Sequence, residues 1–274
     1  MLKNVWEKKL LLQTMNSKLS KKQAFYEDEK CQLFCDNTFN VLKSIKAESI
    51  DMIFADPPYF LSNDGITCHA GKMVSVNKGQ WDKVDSFDEK HKFNRKWIKA
   101  CKRVLKPNGT IWISGTLHNI YSIGAALEQE GFKIINNITW QKTNPPPNLA
   151  CKCFTHSTET VLWARKDEKK VKHLFNYSLM KELNGGKQMK DVWQGPLTPK
   201  REKAEGKHPT QKPMYLLERI ILASTNEGDI ILDPFCGSST TGVVAKELNR
   251  FYIGVDNNEE YIELSKRRLE NAKF

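Results

Sequence analysis

The chain has 274 residues, 39% of them hydrophobic, which is enough to bury the core of one large domain or of a domain with an insertion. Its 43 Lys and Arg exceed its 32 Asp and Glu, and the formal net charge is +11. No apolar stretch is long enough to span a membrane. The positive balance makes a polyanion the first partner to test, although a basic surface alone supports one only weakly.

The seven cysteines are an odd number without dense spacing, which argues against a disulfide framework. Because the N-terminus lacks an apolar run of signal-peptide length, we expect a cytoplasmic protein with free thiols. Cys151, Cys153 and His156 stand close together, but no second pair has metal-ligand spacing. We therefore predict no metal site and expect these side chains to pack in the core.

Residues 1–30 are polar and rich in lysine, and we interpret them as an N-terminal arm that precedes a domain of residues 31–274. Beyond the arm, short runs of β-branched and aromatic residues alternate with helical patterns. The predicted strands are QLFCDN, SIDMIFAD, GTIWISG, FKIINNITW, TETVLWAR, GDIILD and FYIGVD. The predicted helices are residues 94–105, 117–129, 214–224, 240–248 and 259–272. This alternation predicts an α/β fold with a mainly parallel, seven-stranded, doubly wound sheet.

Two long stretches interrupt the alternation. Residues 61–90 are mostly polar and longer than an ordinary connection, so we predict a mobile loop, either a lid or a partly disordered segment. Residues 165–207 are predicted to be an insertion that recognises the target. From 165 to 212 there are 13 Lys and Arg against 6 Asp and Glu.

The insertion also contains aromatic residues, namely Phe175, Tyr177 and Trp193. A solvated, irregular segment would explain this composition, but basic residues among aromatic ones also suit phosphate contacts and base stacking. We favour a nucleic-acid surface. Charge reversal at Lys169, Lys170 and Lys172 is then expected to weaken DNA binding.

The motif Asp56-Pro57-Pro58-Tyr59 comes just past the end of a predicted parallel strand, where open α/β sheets bind ligands. Prolines remove backbone donors and fix φ, so this loop is expected to be stiff and to present carbonyl oxygens. The exocyclic amino group of a nucleobase could donate its two hydrogens to Asp56 and to the Pro57 carbonyl while Tyr59 stacks on the ring. An ordinary turn uses the same residue types, so the motif alone is only suggestive.

A second motif, DPFCGSSTT from Asp233 to Thr241, follows the strand GDIILD and leads into a helix. Its small residues would let a ligand approach the backbone, and a helix N-terminus supplies free N–H groups. Asp256 ends the next strand, where an acidic residue commonly holds ribose hydroxyls in dinucleotide-binding folds. Because GxGxxG is absent, a nucleoside with an amino-acid tail fits better than a dinucleotide.

Together and in this order, the two motifs resemble those of the permuted (beta) class of S-adenosylmethionine-dependent DNA adenine-N6 methyltransferases, in which DPPY precedes FxGxG. The resemblance runs from about residue 32 to the end and includes LFCDN, TWQKTNPPPN and HPTQKP. The last two segments are most similar to methyltransferases of GATC restriction-modification systems. The resemblance implies a circularly permuted, Rossmann-like methyltransferase fold.

The resemblance also implies roles for individual residues. Asp233, Phe235, Gly237, Ser238 and Thr240 would surround the methionine part of the cofactor. Asp256 would hold the ribose, Asp36 would lie near the adenine, and Lys212 would pair with the carboxylate. The implied catalytic residues are Asp56, Pro57, Pro58 and Tyr59, and Asp56 is expected to border the cofactor as well. Plainer explanations stay open, such as a helix cap for Asp233 or surface charge for Lys212.

Ser239 departs from the family pattern, since it stands where the family usually has glycine. We expect serine to fit if its φ is negative or if the loop shifts, with cofactor affinity as the property that would weaken.

The implied reaction is direct methyl transfer from a sulfonium to adenine N6, with the adenine flipped out of a duplex or bound in a single strand. Cytosine N4 methylation uses the same chemistry, and a non-catalytic DNA-binding relative is the alternative from outside the enzymes. Aspartate, rather than serine, at the start of the tetrad favours adenine. DNA is the expected partner. A homodimer fits the resemblance, and a cognate restriction endonuclease is expected in the same system without direct contact.

Overall fold

The computed structural model describes residues 23–59, 66–69, 72–75, 86–168 and 170–272, and for the two short ranges it describes the backbone alone. Most of the predicted arm, residues 1–30, and most of the predicted mobile loop, residues 61–90, lie outside these residues, as does Lys169. Among these residues there is no helix that combines the length and the hydrophobicity of a membrane span.

A nine-stranded sheet forms the centre of the described part of the chain. Its strands are β1 (Tyr26–Glu27), β2 (Cys31–Cys35), β3 (Ile50–Ala55), β6 (Leu105–Gly115), β7 (Phe132–Lys142), β8 (Thr158–Lys166), β9 (Val192–Gly195), β10 (Ile230–Asp233) and β11 (Phe251–Asp256). Their order is β1–β2–β11–β10–β3–β6–β8–β7–β9. The five strands from β2 to β6 are parallel, and β8 pairs antiparallel with both of its neighbours. A separate antiparallel pair comprises β4 (Ile66–His69) and β5 (Lys72–Ser75).

The helices lie on both faces of the sheet. They are α1 (Thr38–Ser44), α2 (Phe87–Val104), α3 (Ile120–Gln129), α4 (Tyr177–Leu183), α5 (Met214–Ser224), α6 (Thr240–Glu247) and α7 (Glu259–Glu270). Along β3, Ile53 and Ala55 pack in one apolar cluster with residues of α1 to α3, whereas Met52 and Phe54 pack in a second cluster with residues of α5 to α7. Because successive strand residues point to opposite faces, a continuous apolar run serves both clusters. The predicted doubly wound α/β fold is confirmed.

The predicted number of strands is wrong, because two short edge strands join the seven predicted ones. β1 has two residues and pairs with β2, and β9 has four residues and pairs with β7. Runs this short carry too few residues to show an alternating pattern. They were therefore invisible in the sequence.

The helix predictions differ from the structure mainly at helix starts. α2 begins at Phe87 rather than at residue 94, because the Ser86 side chain caps it by accepting a hydrogen bond of 3.2 Å from the Glu89 N–H. The predicted mobile loop of residues 61–90 therefore extends too far at its C-terminal end. The seven-residue helices α1 and α4 were not predicted.

The residues predicted to be an insertion, 165–207, reach opposite edges of the sheet. Because β8 runs against β6, it ends at the edge where β3 begins, and the Lys166 Nζ lies 3.3 Å from Glu48 there. We call this the amino edge. β9 then runs parallel to β7, with Gly195 opposite Lys142, and carries the chain to the edge where β3 and β10 end, the carboxyl edge. Trp193 is 5% exposed and packs near Trp112, so the expected role in base stacking is wrong for this side chain.

The prediction that Cys151, Cys153 and His156 pack in the core is also wrong. All three are exposed in the loop between β7 and β8. Three consecutive prolines precede them, and because proline cannot donate the backbone hydrogen bonds of a strand or helix, this segment is a loop that leaves the core. Among the residues with described side chains, no cluster of three or more His, Cys, Asp or Glu could hold a metal ion.

Candidate active site

The loops that follow β3 and β10 open onto one cavity at the carboxyl edge. The two strands are parallel neighbours, with Ile231 opposite Met52 and Leu232 opposite Ile53, so their ends lie side by side. All the predicted site residues line this cavity: Asp36, Asp56, Pro57, Pro58, Tyr59, Lys212, Asp233, Phe235, Gly237, Ser238, Thr240 and Asp256. The sequence motifs, although far apart in the chain, therefore form one site.

Asp56 is held by two hydrogen bonds inside the cavity wall. Its Oδ2 accepts a bond of 2.5 Å from the Lys212 Nζ, and its Oδ1 accepts one from the Tyr59 hydroxyl. Burial raises the pKa of Asp56, and the charge of Lys212 opposes that rise. A carboxylate oxygen has two lone pairs, so each can accept a further hydrogen bond.

Lys212 lies beside the tetrad Asp56-Pro57-Pro58-Tyr59, between two carboxylates. Its Nζ is 2.8 Å from the Tyr59 hydroxyl and 3.5 Å from the Glu159 Oε2. Although burial alone would lower it, the neighbouring Asp56, Tyr59 and Glu159 raise the pKa of Lys212 well above its ordinary value. The lysine is therefore charged, and it is an ion-pair partner of Asp56.

The proline loop is fixed by Asn119, which follows β6. The Asn119 side chain donates a bond of 3.4 Å to the Pro58 carbonyl and accepts one of 3.0 Å from the Thr116 N–H. The loop is thus tied to a neighbouring strand end, as well as being stiffened by its two prolines.

Asp233 joins β10 to the first turn of α6. Its Oδ2 accepts a bond of 2.7 Å from the Thr241 hydroxyl, and its Oδ1 accepts one of 3.1 Å from the Phe235 N–H. Burial raises the pKa of Asp233 to about 7. The side chain therefore shapes the loop, whatever it contacts in a ligand.

Gly237 is required by its backbone conformation and by its surroundings. Its φ is +52°, and a Cβ atom there would lie 2.9 Å from the His208 Nε2. The Gly237 N–H donates a bond of 3.0 Å to the Asp256 Oδ2. The same carboxylate accepts a bond of 2.9 Å from the Asn258 N–H through its Oδ1, so Asp256 connects the loops that follow β10 and β11.

Ser239 adopts a left-handed conformation, with φ +51° and ψ 41°. Of the two ways in which serine was expected to fit, a negative φ is therefore excluded. For a residue with a Cβ, this conformation costs on the order of 1–2 kcal/mol. The Tyr252 hydroxyl donates a bond of 3.2 Å to the Ser239 Oγ, which is buried.

A buried arginine of α7 supports the residues on either side of Ser239. The Arg268 guanidinium donates bonds of 3.0 Å to the side-chain oxygens of both Ser238 and Thr240. It also donates a bond of 2.5 Å to the Ser238 carbonyl. The loop thus keeps its shape through a residue far away in the sequence.

A family model described as DNA methylase matches residues 50–267, a range that contains both motif loops. The chain belongs to this DNA methylase family. Among curated relatives of this DNA methylase, the Type II methyltransferase M2.DpnII of Streptococcus pneumoniae is 69% identical over 246 residues, which are 90% of this chain and 92% of that protein. The Type II methyltransferase M2.MboI of Moraxella bovis is 53% identical over 242 residues, 88% of each chain.

A solved structure gives the same result for the fold. The crystal structure of the M1.HpyAVI–SAM complex matches this DNA methylase with a TM-score of 0.65 and 30% sequence identity. The match covers 87% of this chain and 98% of that one. The methyltransferase fold implied by the motifs is confirmed.

Several residues of the site were missed in the sequence of this DNA methylase. Glu159 contacts Lys212, the ion-pair partner of Asp56, and Lys142 contacts Glu159, yet both residues stand at strand ends that looked structural. His208 and Tyr261 line the cavity with their rings 4.3 Å apart. Two of the four had a usable signal, because His208 begins the HPTQKP segment and Lys142 lies in the TWQKTNPPPN segment, both of which carried part of the resemblance.

Proposed function

We propose that this DNA methylase transfers a methyl group from S-adenosylmethionine to N6 of adenine in DNA, at GATC sites of a restriction-modification system. The observation that carries the proposal is the shared cavity, in which Asp56 and the Pro57 loop face the Gly237 loop. A nucleobase amino group and a nucleoside cofactor could meet there. The similarity to Type II methyltransferases supports DNA modification.

The chemistry of the cavity fits S-adenosylmethionine. Four aspartates line it, which suits a ligand that carries a sulfonium and an ammonium group: Asp36, Asp56, Asp233 and Asp256. Phe235, packed edge-on against Trp97 with ring centroids 5.4 Å apart, adds an apolar wall. When bound, the cofactor supplies an activated methyl group. We propose that Asp256 holds its ribose, that Asp36 lies near its adenine and that the loop from Asp233 to Thr240 surrounds its methionine part.

The structure favours a role for Lys212 beside Asp56 over its predicted role at the cofactor carboxylate. The Lys212 ammonium already lies between the carboxylates of Asp56 and Glu159. We propose that it orients Asp56 and keeps that carboxylate ionised despite burial. The ionised group is the stronger hydrogen-bond acceptor.

The proposed work of the catalytic tetrad is to hold and polarise the amino group. Asp56 and the Pro57 carbonyl accept its two hydrogens, and Asn119 restrains the loop through the Pro58 carbonyl. The N6 lone pair, normally delocalised into the ring, then becomes available to the methyl carbon. Positioning of this kind provides most of the rate in a direct transfer. Tyr59 is proposed to stack on a flipped base.

The remaining proposals concern organisation. We propose that residues 31–274 act as one methyltransferase domain and that the chain works in the cytoplasm. Homodimer formation and a restriction endonuclease that shares the target without touching this protein belong to the same proposal. Within the basic segment 165–207, the part at the carboxyl edge is the part we assign to DNA contact.

Nucleoside analysis tests the proposed function. The purified protein is incubated with S-adenosylmethionine and with a GATC oligonucleotide, in single-stranded and duplex form, and the DNA is then digested and weighed by mass spectrometry. The matched control has the same composition with GATC scrambled. We expect N6-methyladenine in the GATC oligonucleotide. N4-methylcytosine would instead establish cytosine N4 methylation. If none of the DNA samples contained a modified base, the conclusion that the protein is an enzyme would be contradicted.

A further inference from the structure

Four charged side chains form a chain that begins at the catalytic carboxylate. Asp56 Oδ2 lies 2.5 Å from the Lys212 Nζ, which lies 3.5 Å from the Glu159 Oε2, and the other oxygen of Glu159 lies 2.7 Å from the Lys142 Nζ. Every one of these side chains is at most 14% exposed. The set comprises two carboxylates and two ammonium groups, so it is neutral overall.

The strands and segments that carry these four residues explain how their side chains come together. Lys142 ends β7 and Glu159 stands at the start of β8, its antiparallel neighbour, so both side chains lie at the carboxyl edge. Lys212 comes from the segment before α5. Although burial alone would raise it, the charges of Lys212 and Lys142 lower the pKa of Glu159, so this side chain is an anion.

Burial of four charges is costly because each must be removed from water, and their mutual attraction repays that cost only when the geometry is good. A pair of Asp56 and Lys212 alone would already neutralise the catalytic carboxylate. It would also leave the full charge of the ammonium acting on Asp56, which would weaken Asp56 as a hydrogen-bond and proton acceptor. The second carboxylate shares that charge.

We propose that Glu159 is a positioning residue: it holds Lys212 against Asp56 and offsets part of its charge, so that Asp56 stays a strong acceptor for the substrate amino group. This inference rests on the proposed methyl transfer to adenine N6. The transfer forms a bond between N6 and the methyl carbon and breaks the bond from that carbon to sulfur, whose electrons stay on sulfur. N6 then loses one hydrogen as a proton, which Asp56 accepts and passes to water.

The groups that act on Asp56 come from several elements. Tyr59 and Lys212 contact it directly, Glu159 acts on it from β8, and Asp233 acts from the end of the neighbouring β10. Of these, Glu159 acts on Asp56 both directly and through Lys212, whose ammonium group lies between the two carboxylates. Replacing Glu159 with neutral glutamine, of the same shape, removes its charge and leaves the remaining groups in place.

The test is the pH profile of kcat for the variant Glu159→Gln, measured on the full chain with S-adenosylmethionine and a GATC duplex. We expect kcat to fall by about tenfold, the smaller end of the loss typical when a partner that orients a functional side chain is removed. The acid limb of the profile should move to lower pH, because Lys212, without the opposing charge of Glu159, lowers the pKa of Asp56 further. KM for the cofactor should be unchanged, since Glu159 does not line the cavity.

For a second variant, Lys142→Met, we expect the acid limb of the pH profile to shift in the opposite direction. Without Lys142, Glu159 acts more strongly on Lys212, so the acid limb should move to higher pH. The matched control is Glu48→Gln, which removes the carboxylate of the Lys166–Glu48 pair at the amino edge and should leave the profile in place. Thermal unfolding of each variant separates loss of fold from loss of alignment.

The inference is overturned if Glu159→Gln leaves kcat and the pH profile unchanged. It is also overturned if both variants lower kcat in proportion to their loss of folded protein while the acid limb stays in place, since a merely structural role would do that. Failure of the proposed function is a different result, because the unaltered protein would then form no N6-methyladenine at all.

Discussion

Ion pairs of the same kind lie at the two ends of β3, and therefore at opposite edges of the sheet, but they have different consequences. At the amino edge, the Asp51 Oδ1 lies 2.7 Å from the Lys106 Nζ, and its Oδ2 accepts a bond of 2.9 Å from the Ile230 N–H. Both partners are protein groups that join β3 to its neighbours. Asp56, at the carboxyl edge, is paired with Lys212 but lines the cavity. A buried ion pair therefore does not by itself indicate function. What distinguishes Asp56 from Asp51 is the cavity that Asp56 lines.

The basic segment repeats this contrast. Residues 165–176 and 196–212 each contain five Lys or Arg and two Asp or Glu. The first group follows β8 at the amino edge, where Asp167 donates a bond of 3.1 Å from its backbone N–H to the Gly131 carbonyl. The second group follows β9 and reaches the cavity at Lys212. Two groups of equal composition thus differ in their distance from the cavity, because strand direction decides which edge each group reaches.

The largest expected difference between the edges concerns the two aspartates. Asp56→Asn should lower kcat by about 10²–10⁴-fold, because the amide is a poorer acceptor of the substrate amino hydrogens. Cofactor binding, followed by calorimetry, should stay largely intact. Asp51→Asn should keep its rate and lower the free energy of unfolding by about 1–3 kcal/mol, measured in urea. Near-normal activity of Asp56→Asn would contradict the assignment.

The pH dependence of the free energy of unfolding measures how much the buried Asp233 carboxylate, at the carboxyl edge, destabilises the folded protein. The folded pKa of Asp233, about 7, lies above its ordinary value of 3.8. Its contribution to stability is therefore complete below pH 3.8 and is lost as the pH rises through 7. Asp233→Asn should remove this loss, which amounts to about 1.4 kcal/mol for each unit of pKa difference.

The measurement is the free energy of unfolding of Asp233→Asn and of the unaltered protein at pH 4 and pH 7. The difference between the two proteins should favour the variant more at pH 7 than at pH 4. A difference that does not change with pH would mean that Asp233 ionises at its ordinary pKa in the folded protein.

Charge reversal tests whether the basic groups at the two edges differ in DNA binding. Lys200→Glu with Lys207→Glu, both exposed at the carboxyl edge, should weaken binding by about tenfold and reduce the salt slope by about 0.9 for each phosphate that the variant no longer neutralises. Lys170→Glu with Lys172→Glu, of the same chemistry at the amino edge, is the matched control. This reverses the expectation that the sequence alone produced for the second pair.

Binding of a GATC duplex is measured at several salt concentrations for both double variants. If the pair at the amino edge changes the salt slope as much as the pair at the carboxyl edge, the DNA path covers both edges and the contrast drawn from strand direction is wrong.

The smallest expected effect is a difference in protein stability between glycine substitutions at the two ends of α6. Ser239, before the helix, and Asn249, just after it, both have positive φ, +51° and +63°. Asparagine tolerates this conformation after a helix, whereas serine does not. Ser239→Gly should therefore stabilise the protein by up to about 1 kcal/mol, net of the hydrogen bond from Tyr252 that the variant cannot make.

Asn249→Gly should instead destabilise slightly, because its side chain donates a bond of 2.9 Å to Glu227. Urea unfolding of both variants checks the difference in sign. Destabilisation by Ser239→Gly would show that the hydrogen bond from Tyr252 outweighs the backbone strain.

The sequence could predict what depends on local pattern. The strand IDMIFA and the helix from Met214 to Ser224 were predicted because apolar periodicity and turn residues lie within a few positions of each other. The same is true of the two motif loops, which are contiguous in the chain. The short strand β9 and the cap at Ser86 were missed, because four residues or one hydroxyl leave no periodic signal.

By itself, the sequence determined the fold class, the family and the two motif loops that line the cavity, since each of these follows from contiguous motifs. Only the tertiary structure decided that Lys212 pairs with Asp56, that Glu159 and Lys142 extend this pair, and that the basic segment divides between two edges. These outcomes depend on which strands are neighbours and on the direction in which each one runs. Such pairings join residues far apart in the chain, and no local pattern encodes them.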